Sequence, residues 1–112
     1  MPEESGEAFI AVRAREEVGG GADELVRRFA GGLPAEEAGA LAAYRWALDP
    51  AGPAPVTGRV LDAVPTDLDL AVEERAAIKA ARDRARPLDE RARAVGAARA
   101  PGWILGFAPV SG

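Results

Sequence analysis

The sequence predicts a mainly α-helical, compact bundle of five or six short helices, and three observations lead to this fold class. The chain has 112 residues, which is the usual size of one domain. Glycine and proline interrupt it often, and apolar residues recur at helical spacing between the interruptions. Part of the sequence also occurs twice, which predicts a weak internal two-fold repeat of one helical unit.

The repeat joins a tryptophan to a proline-containing pentapeptide. Trp46-Ala47-Leu48 precedes Ala-Pro-Val-Thr-Gly at 54–58, and Trp103-Ile104-Leu105 precedes Ala-Pro-Val-Ser-Gly at 108–112. Each copy contains one of the two tryptophans of the chain. We therefore expect both indole rings to be largely buried in one core, at the ends of helices that pack together, with the two pentapeptides covering that core.

The amino-terminal part of the chain has the weakest pattern. Residues 1–6 are polar and aperiodic, so we expect a loose end, followed by a single helical domain over 7–112. Residues 7–18 favour a helix that Gly19-Gly20-Gly21 would end, although residues 9–12 also suit a strand. In the alternative α+β fold, residues 9–12 pair with residues 103–110 as a small two-stranded ribbon formed by the chain ends.

The next two helices are predicted from their end signals. Asp23 would cap a short helix that ends at Gly31-Gly32. Pro34, followed by Glu36 and Glu37, predicts a helix over 34–48. Three prolines within residues 49–55 cannot continue that helix, so this segment is a connector.

Three helices are predicted beyond the connector. The first is short and covers 59–64. Thr66 and Asp69 resemble a capping box that opens a helix over 67–86, with residues 71, 74, 78, 81 and 85 on its inner face. The last helix begins at Leu88 or Asp89 and carries its apolar residues at 88, 92, 95 and 98. We expect it to break or kink at Pro101, with a last turn at 103–105 before Gly106.

The composition argues against an enzyme. The chain has no cysteine and no histidine, which removes the thiolate nucleophile, the commonest metal ligand and the commonest catalytic base. No activating base accompanies Thr57 or Ser111, the acids within 62–74 lack calcium-loop spacing, and the glycine clusters match no nucleotide-binding motif. We therefore expect no catalytic residue, no cofactor and no metal site. Since no signal peptide or membrane span is present, we expect a cytoplasmic location.

The charges of the chain are distributed unevenly. The net charge is −4, yet residues 1–74 hold six basic and fifteen acidic residues, whereas residues 75–112 hold eight basic and three acidic residues. Either the two parts fold against each other, or the basic part meets an anionic partner. The candidate partner site, here called the basic ridge, consists of Lys79, Arg82, Arg84, Arg86, Arg91 and Arg93.

A second candidate is a set of large apolar residues, most of them close to the carboxyl end. These anchors are Trp46, Trp103, Ile104, Leu105 and Phe107. They either complete the core or form an interface between two copies of the chain. The function we expect is that of a non-enzymatic cytoplasmic interaction protein, an adaptor or regulator that contacts a partner protein or forms a homodimer. The alternative is a nucleic-acid-binding regulator that uses the arginine-rich helices over 79–99.

Overall fold

A hairpin and four helices follow one another in the computed structural model, which describes residues 8–107. Strands β1 (Phe9–Ile10) and β2 (Arg13–Ala14) are followed by α1 (Arg15–Arg28), α2 (Ala35–Leu48), α3 (Asp67–Arg82) and α4 (Leu88–Ile104). The mainly helical fold is confirmed, but the described residues form four helices and not five or six. None of these helices is long and apolar enough to cross a bilayer.

The helix predicted over 7–18 is correct only from residue 15 onward, and the strand alternative for residues 9–12 is confirmed at Phe9–Ile10. β1 and β2 pair antiparallel as a local hairpin, with Phe9 opposite Ala14, so the ribbon does not join the chain ends as the alternative fold expected. α1 then begins at Arg15 and continues through the three glycines at 19–21 and through Asp23, which we had predicted to be a helix stop and a cap. Burial of Val18, Ala22 and Leu25 on one face outweighs the roughly 1 kcal/mol by which each glycine disfavours a helix.

The middle of the chain follows its local signals more closely. α2 begins directly after Pro34 and ends at Leu48, as predicted, and Thr66 and Asp69 form the expected capping box of α3. The short helix predicted over 59–64 is absent, because the connector folds back on itself: the Ala54 N–H donates to the Arg59 carbonyl at 2.8 Å. α3 ends at Arg82, four residues earlier than predicted.

The last helix begins at Leu88 as predicted, but it does not break at Pro101. α4 continues to Ile104, and the fully buried proline ring offsets the hydrogen bond that proline cannot donate. The predicted last turn before Gly106 is confirmed. Gly106 has a φ of +91°, its N–H donates to the Trp103 carbonyl at 2.9 Å, and the Phe107 N–H donates to the Gly102 carbonyl at 3.0 Å. This pair of bonds is a Schellman closure.

α4 packs between α2 and α3, and the α2–α4 contact is unusually close. A Cβ on Gly39 would lie 1.8 Å from the Arg93 carbonyl oxygen, and a Cβ on Gly96 would lie 1.8 Å from the Glu36 carbonyl oxygen. The two backbones therefore touch where these helices cross, which only glycine permits at both positions. We refer to this contact as the glycine crossing.

The close packing places small residues inside and several large ones outside. The inner face of α3 consists of Leu70, Glu73, Ala77 and Ala80, and not of the predicted residues 71, 74, 78, 81 and 85. In α4 the buried residues include Ala94, Ala97 and Ala100, whereas Leu88 and Val95 are exposed. Trp46 is buried in one cluster with Ile10, Val18, Leu70 and Ile104, and Trp103 packs partly buried against the same cluster. The shared core is thus confirmed. The expectations for residues 1–6 and for the second pentapeptide at 108–112 lie outside the described residues.

Candidate functional site

One charged side chain is buried in the described core, and it holds the first pentapeptide. Glu73 of α3 is 1% exposed. Its carboxylate accepts the Val56 N–H at 2.6 Å, the Thr57 hydroxyl at 2.8 Å and the Thr57 N–H at 3.3 Å. We call this arrangement the Glu73 clasp. Since the carboxylate is sealed from solvent and receives three donors, the Thr57 hydroxyl anchors the connector to α3.

A second polar contact fixes Trp103 between the hairpin and α2. The Arg13 guanidinium lies 4.3 Å from the centre of the indole ring, and its Nε donates to the Trp103 carbonyl at 2.8 Å. The Tyr44 ring meets the indole edge to face, with 5.9 Å between centroids. Burial raises the pKa of Tyr44, and the nearby positive charges of Arg99 and Arg13 oppose that rise. These contacts link β2, α2 and α4 around the second tryptophan of the repeat.

The six residues of the basic ridge lie at one end of the α3–α4 hairpin. The helices are joined there by the short turn 83–87, and the Arg91 Nε donates to the Ala81 carbonyl across the joint at 3.1 Å. Arg86 pairs with Asp83 at 3.3 Å. The other four, which are Lys79, Arg82, Arg84 and Arg93, are exposed and form no ion pair with any described residue. The ridge therefore presents unneutralised positive charge to solvent.

A groove of about 350 Å³ runs beside the ridge, between α2, α4 and the connector. Its walls include Pro55 and Val56, and its floor includes Gly39 of the glycine crossing. Arg86, Glu90 and Arg93 lie among its lining residues and give it a mixed charge. Because the Glu73 clasp holds Val56, the same carboxylate positions the connector wall of this groove.

The five predicted anchors divide between the core and the surface. Trp46 and Ile104 are buried, and Trp103 and Leu105 are partly buried against the same cluster. Phe107 is exposed. The Trp46 Nε1 is buried and has no hydrogen-bond acceptor among the described residues.

A surface that sequence reasoning missed lies at the opposite end of α3 from the basic ridge. Four large apolar side chains within residues 60–72 are exposed, and we call them the apolar strip: Val60, Val64, Leu68 and Val72. Leu68 and Val72 are one helical turn apart, on the face of α3 away from the buried Leu70 and Ala77. The four-residue spacing of Leu68 and Val72 is visible in the sequence. The inner face predicted for α3, however, is displaced by one residue from the observed one, so the sequence analysis does not identify these two residues as exposed.

The connector is fastened to the first turn of α3 beside this strip. Arg59 pairs with Asp69 at 2.8 Å, so Val60, the next residue, lies near the start of the helix. The backbone N–H of Thr66 donates to Asp69 and, with the Thr66 hydroxyl and Arg59, lowers the pKa of this carboxyl. The Arg59–Asp69 ion pair therefore holds the connector beside the first turn of α3.

Comparison with known proteins adds no family to this description. The chain shows no significant similarity to any protein-family model, curated protein or solved structure. In the part of the chain that the structure describes, no three of its acidic side chains converge closely enough to hold a metal ion. The described surface includes the apolar strip, the basic ridge, the groove beside it and a second groove of about 520 Å³ at the end of α2.

Proposed function

We propose that this protein is a non-enzymatic, cytoplasmic interaction protein that binds a partner protein through the apolar strip. The observation that carries the proposal is the exposure of four large apolar side chains within residues 60–72, with Leu68 reaching 73%. Exposed apolar side chains that occur singly need no explanation, but a group of them is typical of a protein contact surface, and the four of the strip lie within residues 60–72. Binding would remove this surface from water.

The surroundings of the strip support the same role. Asp67, Asp69 and Arg59 border it with charges of both signs, which is the usual arrangement of an apolar contact area and a polar rim. The framework beneath it is well anchored, because the inner face of α3 is buried and the Glu73 clasp ties the connector to that helix. A surface held in place in this way loses little conformational freedom when a partner binds.

The proposal is tested by placing a charge in the strip. Leu68→Asp puts a carboxylate at its most exposed position, and we expect it to lower partner affinity by about tenfold or more, because an apolar contact is lost and a charge is desolvated. Partners of the wild-type chain are captured by crosslinking in the native cell and identified. Their affinities for the wild type and for Leu68→Asp are then measured by calorimetry. Light scattering of the same samples shows whether the partner is a second copy.

Leu88→Asp is the matched control. Leu88 is 79% exposed at the start of α4, but it belongs to the other end of the α3–α4 hairpin. We expect this variant to bind as the wild type does, with circular dichroism confirming that both variants are folded. Equal binding by the wild type and Leu68→Asp would refute the strip as the contact surface, and so would equal losses in the two variants.

A second candidate function is nucleic-acid binding through the basic ridge. What favours it is that Lys79, Arg82, Arg84 and Arg93 are exposed without ion pairs among the described residues. Phosphate contacts of this type weaken steeply as salt concentration rises. If nucleic acid is the partner, the affinity for a duplex or single strand will fall by roughly 10³-fold between 50 and 200 mM salt.

The variant that tests this candidate is the triple change Arg82→Ala, Arg84→Ala and Arg86→Ala, which should abolish the binding. The double change Arg27→Ala and Arg28→Ala, at the end of α1, is the control because it removes surface charge elsewhere. Nucleic-acid binding through the basic ridge would be refuted if no salt-sensitive binding were found at low ionic strength. It would also be refuted if the two variants bound nucleic acid equally well.

A further inference from the structure

The apolar strip continues along α3 into a row of basic side chains. Five exposed residues of this helix follow one another at spacings of four and three, which places them on one face. We call this the outer face of α3, and it consists of Leu68, Val72, Arg75, Lys79 and Arg82. It lies opposite the buried side chains of the same helix. The outer face is therefore apolar toward the start of α3 and positive toward its end.

The acidic residues of α3 do not neutralise this row. All four of them precede Arg75 in the helix. Asp69 is in an ion pair with the connector, and Glu73 is held in the clasp. Glu74 lies beside α4, with its Oε2 2.8 Å from the position that a Cβ on Gly102 would occupy. The three basic side chains of the outer face form no ion pair with any described residue, so their charge is available to a partner.

The order of apolar and basic groups along the helix indicates the chemistry of the partner. Leu68 and Lys79 lie about 16 Å apart along the helix axis, given their separation in sequence. A partner that contacts both must present an apolar group and an anionic group at a similar separation. An amphipathic helix can do so with one row of its own residues, and two helices pack lengthwise along such rows.

Two other anionic partners match the outer face less well. A nucleic acid would contact its basic half through phosphates, which would leave Leu68 and Val72 in water. A helix that lies on an anionic membrane carries apolar residues on one side along its length and basic residues on the other side. On the outer face of α3 the apolar and the basic residues instead follow one another along one line. This arrangement favours a protein helix.

We propose that the apolar strip binds an amphipathic helix of another protein, in which acidic residues lie about three turns from the apolar ones. The apolar residues of that helix contact Leu68 and Val72, and its carboxylates pair with the basic residues of the outer face. This inference rests on the proposed function, because it names the partner of the same surface. Asp67 lies next to Leu68 and repels carboxylates there, so the acidic part of the partner lies toward the end of α3.

Lys79 allows a direct test, since it is the only lysine of the chain. A water-soluble carbodiimide joins an ammonium group to a carboxylate in contact with it. The reagent is applied to the complex of the wild-type chain with the partner that was captured in the native cell, and mass spectrometry locates the joined residues. We expect Lys79 to be joined to an aspartate or glutamate in a helical segment of the partner that has apolar residues about three turns away.

The possible outcomes separate this inference from the proposed function. If Leu68→Asp weakens the complex but Lys79 is not joined to the partner, the inference is overturned and the proposed function stands. A link from Lys79 to a second copy, recognised with an isotope-labelled chain, also overturns it. Sedimentation with vesicles of phosphatidylcholine and phosphatidylserine that is lost in Leu68→Asp means that the outer face binds lipid, which overturns it as well. If Leu68→Asp binds the partner as the wild type does, the proposed function itself fails.

Charge reversal measures the contribution of the basic row. Arg75→Glu combined with Lys79→Glu should lower the affinity for the partner by about tenfold or more, because like charges then face each other. The matched control is Arg84→Glu combined with Arg93→Glu, which makes the same change of charge at two exposed residues off the outer face. This control should bind nearly as the wild type does, and circular dichroism shows that both variants are folded. Equal affinities of the two double variants would overturn the inference.

Discussion

Replacing either glycine of the glycine crossing by alanine should destabilise the fold, although alanine is the better helix former. In Gly39→Ala or Gly96→Ala the new Cβ would lie 1.8 Å from a backbone oxygen of the other helix, while real Cβ contacts are essentially never under 3.0 Å. α2 and α4 must therefore separate by at least about 1.2 Å, the difference between these two distances. Neither neighbour is a flexible side chain that could turn aside.

The expected magnitude follows from two opposing effects. Overpacking against a backbone costs about 3 kcal/mol, at the upper end of the usual range. Alanine regains about 1 kcal/mol of helix propensity, which leaves a net loss of about 2 kcal/mol in the free energy of unfolding. For a domain of this size such a loss lowers the melting temperature by about 10 °C. The free energy of unfolding is measured by urea unfolding followed by circular dichroism. An unchanged m-value shows that the variant and the wild type expose the same amount of surface on unfolding.

Gly20→Ala is the matched control for this reasoning. Gly20 is also inside a helix, α1, but it is exposed and a Cβ there would meet nothing within 4 Å. Only the helix propensity then acts, so this variant should be more stable than the wild type by about 0.5–1 kcal/mol. The close contact at the glycine crossing is refuted if Gly39→Ala and Gly96→Ala have the same free energy of unfolding as the wild type. It is also refuted if all three alanine variants change this free energy in the same direction.

Three further predictions concern other contacts. Glu73→Gln replaces a carboxylate that only accepts hydrogen bonds by an amide that also carries N–H donors. It should lower the free energy of unfolding, measured in urea, by about 2–3 kcal/mol. A loss below about 1 kcal/mol would contradict a stabilising role of the Glu73 clasp. Asp69→Asn should lower stability by about 1 kcal/mol at pH 7. The pKa of Asp69 is lowered from 3.8 in the fold, so its stabilisation is present above that pH and is lost as the pH falls through the lower folded value. In acid titrations the stabilities of the wild type and the variant should therefore converge as Asp69 is protonated, and a constant difference would contradict this. Gly106→Ala places a Cβ at positive φ and 2.8 Å from Val12 Cγ2, so calorimetry should show a loss of about 1–2 kcal/mol in the free energy of unfolding. Gly52→Ala is the control, because a Cβ there would lie in open space and should leave the stability unchanged. An equal loss in the two variants would exclude a specific effect at Gly106.

The limits of several helices were predictable because the residues at those limits act locally. Pro34 before α2, Thr66 and Asp69 at the start of α3, and Gly106 after α4 each satisfy or withhold hydrogen bonds within a few residues. Such interactions depend little on the rest of the molecule, so the sequence contains all the information needed. The repeat likewise predicted that Trp46 and Trp103 share one core.

Glycine shows where local reasoning fails. The three glycines at 19–21 resemble a helix stop, yet they lie inside α1, because Val18 and Leu25 on either side are buried. Gly39 and Gly96 look unremarkable in sequence, yet they decide how closely α2 and α4 approach. The same residue type interrupts a helix or allows close packing, and only the neighbouring element determines which effect prevails.

The helix faces predicted for α3 and α4 from the spacing of their residues were wrong for the same reason. With α4 between two helices and the backbones in contact at the glycine crossing, small residues such as Ala97 fit inside, while Leu68, Val72 and Leu88 remain outside. Glutamate is seldom fully buried, but three donors from a connector distant in sequence stabilise Glu73 in the core. The sequence alone thus determined the helical class and several of the local helix ends. Only the tertiary structure decided which faces are buried and which surface is exposed to a partner, because these depend on packing between segments far apart in the chain.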